Sequence, residues 1–258
     1  MYDLEAFTHV DTWISLLTLT LMEIVLGIDN IIFISIMVNR LPVAEQKRGR
    51  TIGLLLALVF RLGLLMSISW IVGLRAALFT LTLPWLSAPF PVSGRDLILL
   101  AGGLFLIYKS TTEIHTKLQG EEESAQAGGN TAKALSQVIT QIILIDLVFS
   151  FDSILTAVGL VDNVLVMMIA VVVSMGIMLA FSGVVADFVN RHPTIKMLAL
   201  SFLIMIGLML VMEAAHQHLD KGYLYFAMAF SLLVEMLNIR LRRKVKAPPV
   251  QLRETQYE

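Results

Sequence analysis

Two short stretches carry the polar chemistry of this chain. Glu23-Ile-Val-Leu-Gly27-Ile-Asp29-Asn30 and Asp146-Leu-Val-Phe-Ser150-Phe-Asp152-Ser153 each place two acids six residues apart inside an apolar run. A carboxylate at the centre of a bilayer costs about 2.5–3.5 kcal/mol on insertion scales, so an acid kept there reads as functional. Carboxylate, amide and hydroxyl oxygens from the two stretches would together make an acidic, oxygen-rich cage. Such donors suit hard or borderline divalent cations such as Mg²⁺, Ca²⁺ and Mn²⁺. The chain has no Cys, and its five His fall at the ends of apolar runs or between them, which argues against a soft-metal site. Glu23, Asp29, Asn30, Asp146, Asp152 and Ser153 are the expected metal ligands. Gly27, Ser150, Gln141, Arg61 and Glu235 are accessory candidates.

The spacing raises a geometric problem. In an unbroken helix, residues six apart are separated by ~9 Å along the axis and turned by roughly 120°. The two acids of one stretch then cannot easily grip one ion. Gly27 and Ser150 suggest local unwinding, so a break or bulge is expected near 26–30 and 149–153, as in transporters with discontinuous helices. Four neighbouring carboxylates cannot all stay ionised in a low dielectric, so some would hold protons that an entering cation expels. Arg61 is the mid-span base. It could pair with one acid, serve as a tethered cation, or form a purely structural ion pair. Glu235 could be an accessory ligand near a membrane face or could pair with Arg240 or Arg242.

The elements that must position these groups are membrane spans. The 258 residues are 57% hydrophobic and only 15% charged, with a mean hydropathy of +0.80. An ordinary soluble domain carries about a quarter charged residues. Seven apolar segments of spanning length run roughly over 12–38, 51–73, 95–112, 135–158, 163–186, 196–215 and 222–239. Helices are required, because an open sheet edge leaves backbone groups unsatisfied in lipid. Fifteen of the nineteen Lys and Arg fall on one set of alternating connections. The positive-inside rule then places the N-terminus outside and the C-terminus in the cytoplasm. The acidic leader lacks a basic n-region and cleavage site, so no cleaved signal peptide is expected.

Laying the two stretches over one another pairs acid with acid, small residue with small residue, and Asn30 with Ser153. Three spans separate the copies, so they run through the membrane in opposite directions, as in inverted-repeat transporters. The expected architecture is all-α and polytopic: a single membrane domain of two inverted three-helix repeats plus one extra helix. The first repeat covers 10–115, a polar cytoplasmic linker with Glu121-Glu122-Glu123 covers 116–134, and the second repeat covers 135–218. The seventh helix covers 219–240, and a basic cytoplasmic tail covers 241–258, with no appended soluble domain expected. Arg95 with Asp96 and Lys109 with Glu113 are expected to pair at the two ends of the third span.

With both acid motifs in place, the chain closely resembles the TerC family of integral membrane proteins. Gly94-Arg95-Asp96, Arg191-His192-Pro193, Lys196-Met-Leu-Ala-Leu-Ser201 and Lys221-Gly222-Tyr-Leu-Tyr225 add to the match, which covers about 10–240. The resemblance is to the small inner-membrane branch that lacks a cytoplasmic domain. It implies a seven-helix fold related to the LysE transporter superfamily, with Glu23, Asp29, Asp146 and Asp152 binding the ion. Some members of the family export manganese and others are linked to tellurite resistance. An acidic cage with one Arg repels an oxyanion, so a tellurite phenotype would be indirect.

The favoured function is efflux of a divalent cation, Mn²⁺ first, in exchange for protons. The expected partners are the metal ion, protons and the bilayer, with no permanent cofactor, no nucleic acid and no enzymatic activity; the oligomeric state is not readable. Two alternatives stand beside it. One is a membrane scaffold or assembly factor acting indirectly in metal or tellurite resistance. The other is an intramembrane aspartyl protease with Asp29 and Asp152 sharing a proton.

Overall fold

The computed structural model describes residues 5–81, 90–119, 131–159, 161, 163–217 and 219–242, and for Glu5, Ala6, Ile28, Asp29, Leu81, Thr131, Ala132, Lys133, Thr156 and Arg242 the backbone alone. After a 3-10 turn at Glu5–Thr8, the elements are α1 (Val10–Val38), α2 (Val43–Met66), α3 (Ile68–Gly73), β1 (Ala77–Leu81), β2 (Phe90–Ser93), α4 (Gly94–Leu118), α5 (Thr131–Val158), α6 (Val164–Arg191), α7 (Pro193–Ala214) and α8 (Lys221–Arg242). Among the described residues, seven helices are long and apolar enough to cross a membrane: all but the short α3. The chain divides into two compact units, Met1–Asp220 and Lys221–Glu258. The acidic part of the linker and the basic tail beyond Arg242 lie outside the described residues.

The burial pattern is that of a protein in lipid. On α1, Trp13, Leu17, Leu21 and Val25 recur every fourth residue and are all exposed, forming a single apolar stripe. Glu23 and Asn30, on other faces of the same helix, are 6% and 5% exposed. The polar groups therefore point inward and the large apolar ones outward.

Three close helix pairs organise the first unit. Gly27 of α1 faces Met178 of α6, and Asn39 and Asn190, just after α1 and near the end of α6, exchange amide hydrogen bonds. These two helices therefore run in the same direction. Gly49 and Gly53 of α2 face Leu135 and Ile142 of α5, again in parallel. Gly103 of α4 and Gly207 of α7 meet backbone to backbone: a Cβ on Gly103 would lie 2.6 Å from the Gly207 carbonyl oxygen, and one on Gly207 2.8 Å from that of Gly103. Small residues at such crossings let helices approach closely enough for van der Waals contact to hold them together in lipid. Because α1 turns directly back into α2, and α2 is parallel to α5, the two motif helices α1 and α5 are antiparallel.

Several expectations are corrected. The second apolar segment is not one span over 51–73: α2 starts at Val43, and the helix is interrupted at Ser67, where α3 begins. No break occurs at 26–30 or 149–153; α1 and α5 are continuous α-helices through both motifs. Gly27 is small because Met178 lies against it, with Sδ 2.1 Å from where a Cβ would stand. Ser150 stays helical and donates its hydroxyl to Asp146 Oδ2 at 3.1 Å.

The connection from α3 to α4 is an antiparallel hairpin, with Phe79 opposite Val92 and Leu81 opposite Phe90. It leads straight into a capping box. Ser93 Oγ accepts from the Asp96 amide, and Asp96 Oδ2 accepts from the Ser93 amide. The Ser93-Gly-Arg-Asp96 pattern is a known start signal for a helix.

Candidate metal-ion site

Arg61 extends from α2, itself 3% exposed, between the two motif helices. Its Nη1 donates to Glu23 Oε2 at 2.5 Å. Its Nε and Nη2 donate to Asp146 Oδ1 at 3.1 and 2.7 Å, and Nε also approaches Asp146 Oδ2 at 3.2 Å. This two-nitrogen grip is the fork geometry that a guanidinium offers a carboxylate. Asn30 Nδ2 donates to the same Asp146 Oδ1 at 3.4 Å, and Ser150 completes the shell at Oδ2. The first acid of each motif is thereby joined through one arginine. No helix has to unwind, because the groups that meet come from different helices instead of from both ends of one motif.

The arrangement brings together Glu23, Asn30, Asp146, Ser150 and Arg61. The Asp29 side chain lies outside the described residues. Asp152 is half-buried on α5, and Ser153 donates its hydroxyl to the Ser150 carbonyl at 3.2 Å. Among the described residues, no group of three or more acids or histidines has the spacing to hold a metal ion. Gln141 stands on α5 with its Oε1 buried and without a partner among the described residues. Glu235 stands on α8, in the second unit.

By formal charge, two acids against one guanidinium give the buried cluster one more acid than base. The cluster favours one further positive charge, whether a proton or part of the charge of an incoming cation. An anion entering it would meet net repulsion.

The ion pairs at the ends of α4 differ from expectation. Arg95 pairs with Glu213 of α7, not with Asp96, and Asp96 instead caps its own helix and accepts from His216. Glu113 pairs with Arg40, which follows α1, while Lys109 stands within electrostatic range of both. Neighbours along one helix were displaced by partners from other helices. In sequence, the Ser93–Asp96 capping pattern already gave the carboxylate of Asp96 a local use and left Arg95 available.

These helices and this cluster define a polytopic membrane protein whose mid-span arginine is clamped between two mid-span carboxylates. The chain belongs to the integral membrane protein TerC family, whose family model matches residues 8–248. It is 49% identical over 237 residues to the UPF0053 inner membrane protein YgdQ of Escherichia coli, covering 92% of this chain and 96% of that one. A UPF0053 protein of Haemophilus influenzae is 48% identical over 242 residues, covering 94% and 99%. The UPF0053 inner membrane protein YoaE of Escherichia coli is also 48% identical, over 240 residues, but the match takes in only 45% of its length. No solved structure matches. The seven spans and these relatives agree on a multi-pass protein of the bacterial inner membrane.

Proposed function

We propose that the protein carries a divalent metal cation across the inner membrane through the Glu23–Arg61–Asp146 cluster, in exchange for protons. The carrying observation is the arginine itself, a built-in cation held by the first acid of each motif. A hard divalent ion competes for the same carboxylate oxygens, and Asn30 supplies a further buried oxygen, Oδ1, that has no partner among the described residues. As the ion binds, Arg61 swings off one or both acids; as it leaves, Arg61 returns and keeps the empty cluster from carrying two bare charges. The packing pairs α1 with α6 and α2 with α5, which exchange under an inverted repeat of spans one to three on spans four to six, and this supports alternating access about a fixed site. Mn²⁺ is the first candidate, from the family resemblance and the hard-donor set. Efflux is the direction that resemblance suggests.

The test is flux in proteoliposomes loaded with Mn²⁺ under an imposed proton gradient. Wild type is expected to carry Mn²⁺, and Glu23→Gln and Asp146→Asn to lose that flux. Equal flux in all three would remove these acids from the pathway. A scaffold reading has one observation in its favour, the near-saturation of Arg61 by its partners, as in a structural clasp. It requires that no flux of Mn²⁺, Mg²⁺ or Ca²⁺ be found in wild type.

A further inference from the structure

The two approaches to the buried cluster are made of different material. Towards the N-terminal end of α1, Glu23 forms part of the wall of a cavity of only about 10 Å³. Every other lining residue is apolar: Leu19, Leu65, Ile154, Ala157, Met167, Ala170 and Val171. Leu65 follows Arg61 on α2, Ile154 follows Asp146 on α5, and Val171 stands early in α6. All of them therefore lie on the same side of the cluster as Leu19.

Towards the C-terminal end of α1 the buried groups are polar, and their partners run out. Asn30 Oδ1, Gln141 Oε1, Ser110 Oγ and Glu113 Oε1 are all buried with no hydrogen-bond partner among the described residues. Ser110 is fully buried and Glu113 1% exposed. Helix register places Gln141, Ser110 and Glu113 on one side of the cluster. Gly102 of α4 packs on Val148 of α5, and these helices are antiparallel. Ser110 lies eight residues past Gly102, and Gln141 seven before Val148, so at 1.5 Å per residue both sit roughly 10–12 Å below that contact. Gln141 and Glu113, seven residues before Val148 and eleven after Gly102, both fall close to whole turns from that contact, while Ser110 lies about 80° round α4, beside Glu113 and towards the Gly103 face. Glu113 is one turn further on, where its other oxygen holds Arg40. Buried oxygens left unpaired by protein are costly and are ordinarily satisfied by water or an ion.

Resting on the transport reading, we propose that this row is a hydrated half-channel, and that Glu113 with Ser110 is a second station on it for a hard divalent cation. The approach from the other side is held dry by Leu19, Leu65, Ile154 and Val171.

The chain has no cysteine, so single cysteines report accessibility without background. Ser110→Cys, Gln141→Cys, Ala157→Cys and Ala170→Cys in the full chain, in open membrane vesicles, would be treated with a small cationic methanethiosulfonate. The reagent attacks the thiolate, which forms where the sulfur is solvated and is suppressed in apolar surroundings. Positions 110 and 141 are therefore expected to react at least ~10-fold faster than 157 and 170. Millimolar Mn²⁺ is expected to slow position 110. Equal or reversed rates would overturn the half-channel, and a rate at 110 unaffected by Mn²⁺ would overturn the second station. Should Ser110→Cys fail to insert, Gln141→Cys decides the first question, and loss of Mn²⁺ protection at 141 in Glu113→Gln decides the second. Reaction rates do not require transport, so a hydrated row in a wild type that carries no ion would sink the transport reading alone.

Discussion

Arg61 reaches three carboxylate oxygens on two helices while almost wholly out of contact with the surroundings. Breaking a buried pair from one side leaves an uncompensated charge, typically a loss of about 3–5 kcal/mol. Arg61→Ala is expected to lose stability on that scale in thermal unfolding of the detergent-solubilised protein. Combining Arg61→Met with Glu23→Gln and Asp146→Asn removes every charge together. It is expected to recover most of the stability and none of the transport. If the triple variant is as unstable as Arg61→Ala, packing, not charge, governs the position. Arg61→Lys should fall between, since one ammonium cannot reproduce the two-nitrogen grip on Asp146. The acids were legible in sequence because a carboxylate in an apolar run is rare. Their pairing through Arg61 was not, because it depends on α2 lying parallel to α5, and nothing local to either helix encodes that.

At the scale of helices, small residues set how closely neighbours approach, and their surroundings decide what a methyl does. Gly103→Ala directs a Cβ at the backbone carbonyl of Gly207, and overpacking of this kind costs about 1–3 kcal/mol. Gly63→Ala on α2 meets nothing within 4 Å, and there the gain in helix stiffness is worth roughly 0.5–1 kcal/mol. Unfolding temperatures moving in opposite directions for the two variants would check this; a common direction would refute the packing account. The expected unwinding at Gly27 and Ser150 failed for a related reason. A small residue in a membrane helix serves close packing as readily as flexibility, and only the neighbour, Met178 or Asp146, distinguishes the two. The hairpin of β1 and β2 escaped sequence reading because its strands are short. Both strands fall in the connection between the second and third apolar segments, where runs of four or five residues give no span-length signal.

At the scale of the whole chain, the number of spans was legible because apolar runs of spanning length are separated by charged connections. Orientation rests on the placement of Lys and Arg alone, and it predicts a simple result. Arg48→Cys, near the start of α2, should be labelled by an impermeant thiol reagent only from the cytoplasmic side of sealed vesicles. Asp11→Cys, at the start of α1, should be labelled only from outside. Labelling of both from one side would contradict a single pass of α1 across the membrane.

The contact between Gly103 and Gly207 also limits how the sequence can change over generations. At Gly27 an added methyl meets the flexible end of Met178, so a second substitution that shortens Met178 can restore the fit. At Gly103 and Gly207 each residue meets the other's carbonyl, and neither has a side chain left to trim. A change at one cannot be offset by a change at the other, so lineages of this protein are expected to keep both glycines or to lose them only along with the crossing of α4 and α7.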